Sequence, residues 1–227
     1  MFSQTHMTVA CVVAHPDDEV LACGASLARH VRLGHRVETL IMATGLDARG
    51  SASAQAHDAH RQAAAAAAAK LGIPAPRHAG LPDNRLDTVA LLDVVKLVEN
   101  FFAEIDPQVV YTHHRSDLNV DHRVVHDAVL TAARPLPGSG IRRIFAGETL
   151  SSTEWQPVNA SPFVPTVFHD ASEVVDAKVA ALEAYAGEIR PFPHPRSSEA
   201  VRALAAYRGA QAGYAAAEAF MLIRARD

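Results

Sequence analysis

Apolar residues run without a break from Val9 to Val13, and beyond Glu19 they recur at helical spacing as far as Leu33. The first pattern predicts a buried strand over 9–14, and the second a helix over 20–33 that Gly34 closes in a left-handed conformation. Residues 35–43 alternate into a second strand, whereas 44–53 hold Gly, Ser and Asp without period and predict a loop at the same sheet edge as Ala14. The unbroken alanines 63–69, the strongest helix formers available, predict a helix over 55–71 that Gly72 and Pro74 stop. A short strand at 77–79 leads to the polar turn Leu81-Pro82-Asp83-Asn84-Arg85. Val89, Leu92, Val95, Val98 and Phe102 then mark a helix ending before Pro107.

Residues 109–112 form the next strand, which empties into the polar stretch His113 to His122. A helix follows from near His122, with Asp121 or Asn119 as its cap. Beyond it the pattern predicts strands at 144–147, 166–169 and 220–224 and helices over 172–186 and 198–212. Strands alternating with helices make this an α/β chain, a three-layer sandwich on a mainly parallel sheet.

Length and charge narrow the classes. The 227 residues suit one domain over 1–227, and no repeat or linker interrupts them. The net charge of -4, with Lys and Arg scattered, predicts no nucleic-acid partner. No apolar stretch approaches the roughly 20 residues of a membrane span, and Met1 to Met7 lacks a basic start and a hydrophobic segment, so a cytoplasmic protein is expected. Cys11 and Cys23 match neither a zinc knuckle nor a Cys-x-x-Cys pair and are read as buried free thiols.

The chemistry concentrates in His15-Pro16-Asp17-Asp18-Glu19, where the first strand passes into its helix. Ligands in open α/β sheets bind beyond the carboxyl ends of strands. A helix N-terminus accounts for the acids, each worth roughly 0.3–1 kcal/mol there, but not for the histidine. Clustered carboxylates need a cation, and His15 with Asp18 forms half of a catalytic metal site of the kind zinc takes with three protein ligands. His122, opening a helix after another strand of the same sheet, is the candidate third ligand. His126 lies on its helix face and is read as packed behind it, although spacing leaves a His122–His126 pair open; His113 and His114 are read as pocket wall. Asp17, beside both ligands, is the base expected to take a proton from an attacking water, and Glu19 a structural partner.

These residues resemble the PIG-L/LmbE-like family of zinc-dependent N-deacetylases. Ala14 to Glu19 fits its first motif without substitution, and Asp117-Leu118-Asn119-Val120-Asp121-His122 is similar to its second. Pro191 to Ser197 and Ala217-Glu218-Ala219-Phe220 resemble motifs of one bacterial branch, so that the likeness runs almost from end to end. The resemblance implies a Rossmann-like fold, zinc on His15, Asp18 and His122, and Asp17 as general base. It further implies hydrolysis of an N-acyl amide, usually the acetamide of an N-acetylglucosamine unit, on a small N-acetylated sugar. Arg61 resembles a family arginine near the substrate, His114 and Arg196 are read with it as substrate contacts, and Asp121 as the carboxylate orienting its surroundings.

One position departs. Many relatives carry a histidine where this chain has Asn119, and asparagine donates a hydrogen bond to an oxyanion but delivers no proton. Asp17 recycling its proton, or His194 in the proline-rich segment, is then the acid. Rival readings are an amidase of a bulkier sugar-thiol conjugate and a metal-binding homologue without activity. A dinucleotide oxidoreductase is excluded, because Gly-x-Gly-x-x-Gly is missing and acids stand where a pyrophosphate would bind. The ligand set suits other first-row metals such as Fe2+, and a homo-oligomer is compatible with everything above.

Overall fold

A computed structural model describes residues 6–46, 52–157 and 161–227. Among them run β1 (Thr8–Val13), α1 (Asp18–Arg32), β2 (Arg36–Ala43), α2 (Ala54–Leu71), β3 (Arg77–Leu81), α3 (Leu91–Ile105), β4 (Val109–His113) and α4 (Val120–Ala132). The C-terminal part adds β5 (Arg143–Gly147), β6 (Val167–Asp170), α5 (Val175–Ala184), α6 (Ser198–Ala212) and β7 (Ala217–Ala225). Seven strands form one sheet in the order β3-β2-β1-β4-β5-β7-β6. The first five in this order are parallel, and β7 runs antiparallel between β5 and β6.

The period of two along β1 divides the core. Val9, Cys11 and Val13 join one cluster with Leu27 of α1, Ala64, Ala67 and Ala68 of α2 and Leu182 of α5. Ala10, Val12 and Ala14 join the other, with Val94 and Val98 of α3 and Val125 and Val129 of α4. Both faces of the sheet are thus covered, which is why β1 reads as an unbroken apolar run from Val9 to Val13. The alanine helix packs on α5, and Gly72 ends it at φ 74.

The strand order reverses between β1 and β4, since β1 leads outward to β2 and β3 while β4 leads to β5. At such a switch point neighbouring loops diverge and leave a crevice beyond the carboxyl ends. The His15 to Glu19 segment and the His113 to His122 segment both open into it.

Several boundaries differ from the sequence reading. α1 begins at Asp18 instead of residue 20, because Asp17 supplies the carbonyl that accepts from Val20 N and Leu21 N. β4 extends to His113, which pairs with Gly147, and β7 begins at Ala217 because β6 pairs with it there. β3 reaches Leu81, α3 begins only at Leu91, and α5 is shorter than the predicted 172–186. Within the 44–53 loop, residues 47–51 lie outside the described residues, as do residues 1–5 of the N-terminal stretch. Cys11 and Cys23 are buried free thiols, their sulfurs 3.5 Å apart. No helix among the described residues is long and apolar enough to cross a membrane.

Candidate metal centre

The turn from β1 to α1 is built to present two side chains at once. Asp17 adopts φ 102, a backbone that L residues rarely hold, and Asp18 N bonds back to the His15 carbonyl at 3.2 Å. This reversal aims Asp18 Oδ2 at the backbone N of His15 (2.8 Å) and at its ring Nδ1 (3.2 Å). Gly45 makes room for the turn: a Cβ there would meet Pro16 Cδ at 2.6 Å, and its φ of +79 disfavours any side chain.

His122 arrives from the first turn of α4. Asn119 caps that helix by accepting from Asp121 N at 2.8 Å, and Asp117 accepts from Asn119 N at 2.9 Å, so two side chains set the register that places His122. His122 Nε2 lies 3.2 Å from Asp18 Oδ2. His15, Asp18 and His122 each offer a ligand atom within 4.8 Å of the others, and His15, Asp83 and Asp121 do the same.

The electrostatics call for positive charge. Burial works against a protonated His15, yet hydrogen bonds to Asp121 (3.0 Å) and Asp18 outweigh it and push its pKa up to about 10. His122 rises to about 9: burial again opposes, and Asp18 and Asp117 prevail. Asp18 is held well below the usual carboxylate range against its burial, chiefly by His122. Even so, Asp18 Oδ1 is buried without a hydrogen-bond partner, and His122 Nδ1, 3.1 Å from Asp117 Oδ1 but off the line of a hydrogen bond, is also unsatisfied. A buried carboxylate set against two imidazoles, with one oxygen left unpaired, fits a divalent cation, because a buried acceptor without a partner is otherwise costly.

The groups behind these three side chains are themselves held. Asp121 accepts from Asn84 N and Leu86 N at 2.7 and 2.9 Å while facing His15. Asp117 is drawn down to about 2: its burial is outweighed by His122, Ser152 and Thr153. His113 stacks on His122 with ring centroids 3.8 Å apart and accepts from Ala14 N at 2.8 Å. Burial and the charge of His122 pull its pKa down to about 3, so it is a neutral spacer joining the ends of β1 and β4. Asp17, beside the cluster, is pushed well above the ordinary carboxylate range by burial, which Asp18, Glu188 and Glu19 reinforce and Arg196 opposes.

Comparison with known proteins bears on this geometry. Residues 10–133 match the family model described as PIG-L: GlcNAc-PI de-N-acetylase. The chain belongs to the PIG-L family. The uncharacterized deacetylase YaiS of Escherichia coli (strain K12) is 30% identical over 181 residues, covering 77% of this chain and 88% of the relative. The 1D-myo-inositol 2-acetamido-2-deoxy-alpha-D-glucopyranoside deacetylase of Mycobacterium sp. (strain JLS) is 28% identical over 232 residues, 82% of this chain and 75% of that one. Among solved structures, GalB, the 4-carboxy-2-hydroxymuconate hydratase of Pseudomonas putida KT2440, superposes with a TM-score of 0.79 at 23% identity, over 97% and 98% of the two chains. That likeness is one of fold.

In this PIG-L protein a cavity of about 150 Å3 adjoins the centre, walled by His15, Pro16, Asp17, Gly45, Leu46, Asp83, Asn84, Asn119, Glu188 and Arg196. Of the residues singled out from the sequence, Asn119 stands in the wall, its Nδ2 donating to Asn84 Oδ1 at 3.1 Å. Arg196 stands there too, but its guanidinium is turned on the protein: it donates to Asp17 at 2.7 Å and to Ser151 Oγ. His194, the acid expected as one alternative, does not line this cavity, and its Nδ1 accepts from Arg196 N at 3.1 Å. His114 bonds the Ser161 carbonyl and packs on Phe163, away from the cavity. Arg61 pairs with Asp58 on the exposed side of α2 and borders a separate small cleft with His57, His60 and His78. His126 donates to the His113 carbonyl at 2.7 Å and is packed, as its helix face suggested.

The sequence reading passed over Asp83, Asn84 and Glu188 as cavity residues. Asp83 and Asn84 carried a usable signal, a polar turn directly after a strand of the same sheet. Glu188, in an irregular segment, carried none.

Proposed function

We propose that this chain is a zinc-dependent N-deacetylase that hydrolyses the acetamide of a small N-acetylated amino sugar, with the whole chain acting as one domain. The observation that carries the reading is the convergence of His15, Asp18 and His122, with Asp18 Oδ2 3.2 Å from each imidazole, its Oδ1 left without a partner and Asp17 buried alongside. His15, Asp18 and His122 would hold the zinc. A zinc ion bound there would polarise the amide carbonyl and lower the pKa of a water towards neutrality.

The remaining steps belong to the protein. Asp17 accepts a proton from the attacking water at its carboxylate and returns it to the departing nitrogen as the C–N bond breaks, so acetate and a free amine leave and the carboxylate is restored. Arg196 holds that carboxylate in place through its 2.7 Å contact with Asp17 Oδ2. Asn119, unable to deliver a proton, donates its amide N–H to the oxygen that gains charge, once a substrate displaces the contact with Asn84. The carboxylates of Asp83 and Glu188 in the wall suit sugar hydroxyl donors better than an anionic substrate. At about 150 Å3 the cavity takes the reacting end of a substrate and leaves its remainder outside.

The test is acetate release from N-acetylglucosamine and its glycosides, measured with zinc and after chelation. Metal-dependent release supports the reading; zinc binding without release from any amino sugar would leave a homologue that binds metal and does no chemistry.

A further inference from the structure

Helix α1 is two helices. At Cys23 the backbone takes φ -149 and ψ 15, outside the helical region, and a helix interrupted there needs partners for the carbonyls before the break and the N–H groups after it. One buried ion pair serves both sides. Glu218, from β7, accepts from Ala25 N at 2.9 Å and from Ser26 N at 2.7 Å, capping the second half. Lys178, from α5, donates to the Leu21 carbonyl at 2.8 Å, closing the first half, and to Glu218 Oε1 at 2.7 Å. Both side chains are almost wholly buried, at 7% and 5% exposure, where an ion pair gives poor stability for its desolvation.

What the pair holds is short and chemically loaded. The first half, from Asp18 to the break, is little more than a turn, and it carries Asp18 with Asp17 at its cap. Gly147 of β5 lets it sit close on the sheet, since a Cβ there would meet the Ala22 carbonyl oxygen at 3.0 Å. Lys178 and Glu218 both lie outside the 10–133 stretch that defines the family. Glu218 belongs to the Ala217 to Phe220 motif, for which the chemistry above has no use.

We propose that Lys178 and Glu218 are positioning residues: together they clamp the broken helix so that its first turn presents Asp17 and Asp18 to His15 and His122. The inference rests on the metal reading for its consequence, and on the backbone geometry alone for the clamp. Lys178→Met and Glu218→Gln test it, with Arg202→Gln, which opens an exposed ion pair to Asp176 between α6 and α5, as control.

Zinc affinity, kcat and KM are measured on the folded fraction, and hydrogen exchange on the metal-free chain. Both clamp variants should bind zinc about tenfold more weakly and lose about tenfold in kcat, the scale seen when groups supporting metal ligands are removed, with KM within about twofold. In the metal-free state amides 18–22 should exchange faster together with those of Ala25 and Ser26. A merely structural pair would lower the unfolding midpoint and leave affinity and kcat of the folded protein unchanged, which would overturn the proposal. So would slow exchange at 25 and 26 in the variants. If neither variant folds, the metal-free wild type decides: protection of amides 18–22 equal to that of the second half supports the clamp, and free exchange there refutes it. Wild-type protein that binds no zinc would sink the proposed function, with the exchange result still judging the clamp.

Discussion

Arg196 Nη1 donates to Asp17 Oδ2 at 2.7 Å, across 179 residues of chain. The contact joins the proline-rich segment before α6 to the cap of α1, and the same guanidinium also reaches Glu188 at 3.3 Å. Burial presses the Asp17 carboxyl towards its neutral form, and this cation is the opposing influence. Asp17→Asn should keep the metal and lose about 10²- to 10⁴-fold in kcat, the range for a missing general base. Metal analysis beside steady-state kinetics checks this; loss of metal with turnover intact would exchange the roles of Asp17 and Asp18.

Arg196→Gln removes the cation and leaves the Asp17 carboxyl among Asp18, Glu19 and Glu188. Its expected effect is a fall in kcat of about 10- to 100-fold, similar to the loss of other supporting contacts around metal sites. A change confined to KM would instead mark Arg196 as a substrate contact, the role its sequence position suggested.

The two histidines of α4 should separate cleanly. His122→Ala removes one of the three proposed ligands and should abolish stoichiometric zinc, whereas His126→Ala removes a bond to the His113 carbonyl and should leave zinc content unchanged. Metal content after dialysis reads both.

Acid should destabilise the fold through residues far from the centre. His30 and His169 are both bonded to the Tyr111 hydroxyl, at 2.8 and 3.2 Å, inside the core. Burial, reinforced by neighbouring positive groups, draws their pKa values from 6.5 down to about 2 and about 3. The folded state therefore keeps them neutral while the unfolded chain protonates them below about 6.5. Their contribution is complete above that pH and is lost as pH falls, by up to about 1.4 kcal/mol per pH unit for each. Urea unfolding between pH 7 and 5 measures the slope, to which the buried neutral His113 adds in the same sense, and His169→Phe should reduce it by up to about 1.4 kcal/mol per pH unit; an unchanged slope in that variant would contradict a buried neutral His169.

Gly45→Ala places a methyl group 2.6 Å from Pro16 at a positive φ. A cost of about 1–2 kcal/mol is expected from the backbone alone, with a further loss of zinc affinity as the Pro16 turn shifts. Unfolding and metal titration together distinguish a strained loop from a displaced ligand.

The sequence by itself determined the class of the fold, the strand ends that carry the chemistry, and His15, Asp18 and His122 as residues that meet. Those readings rest on local physics: unbroken apolar runs bury strands on both faces, and parallel strands bring their carboxyl-end loops to one edge. Element limits moved by a few residues where a partner strand or a cap set them, as at His113 and Asp18. The tertiary structure alone decided which polar groups face the cavity and which serve the chain. It turned Arg196 onto Asp17, His194 onto its own loop and Arg61 onto Asp58, and brought Asp83, Asn84 and Glu188 to the wall. It also decided the break in α1, which its helical pattern concealed because the cap for each half comes from elements some 150 to 190 residues later. Spacing along a chain specifies which face a residue occupies, but a long polar side chain chooses its partner in three dimensions, where burial makes every unsatisfied group costly.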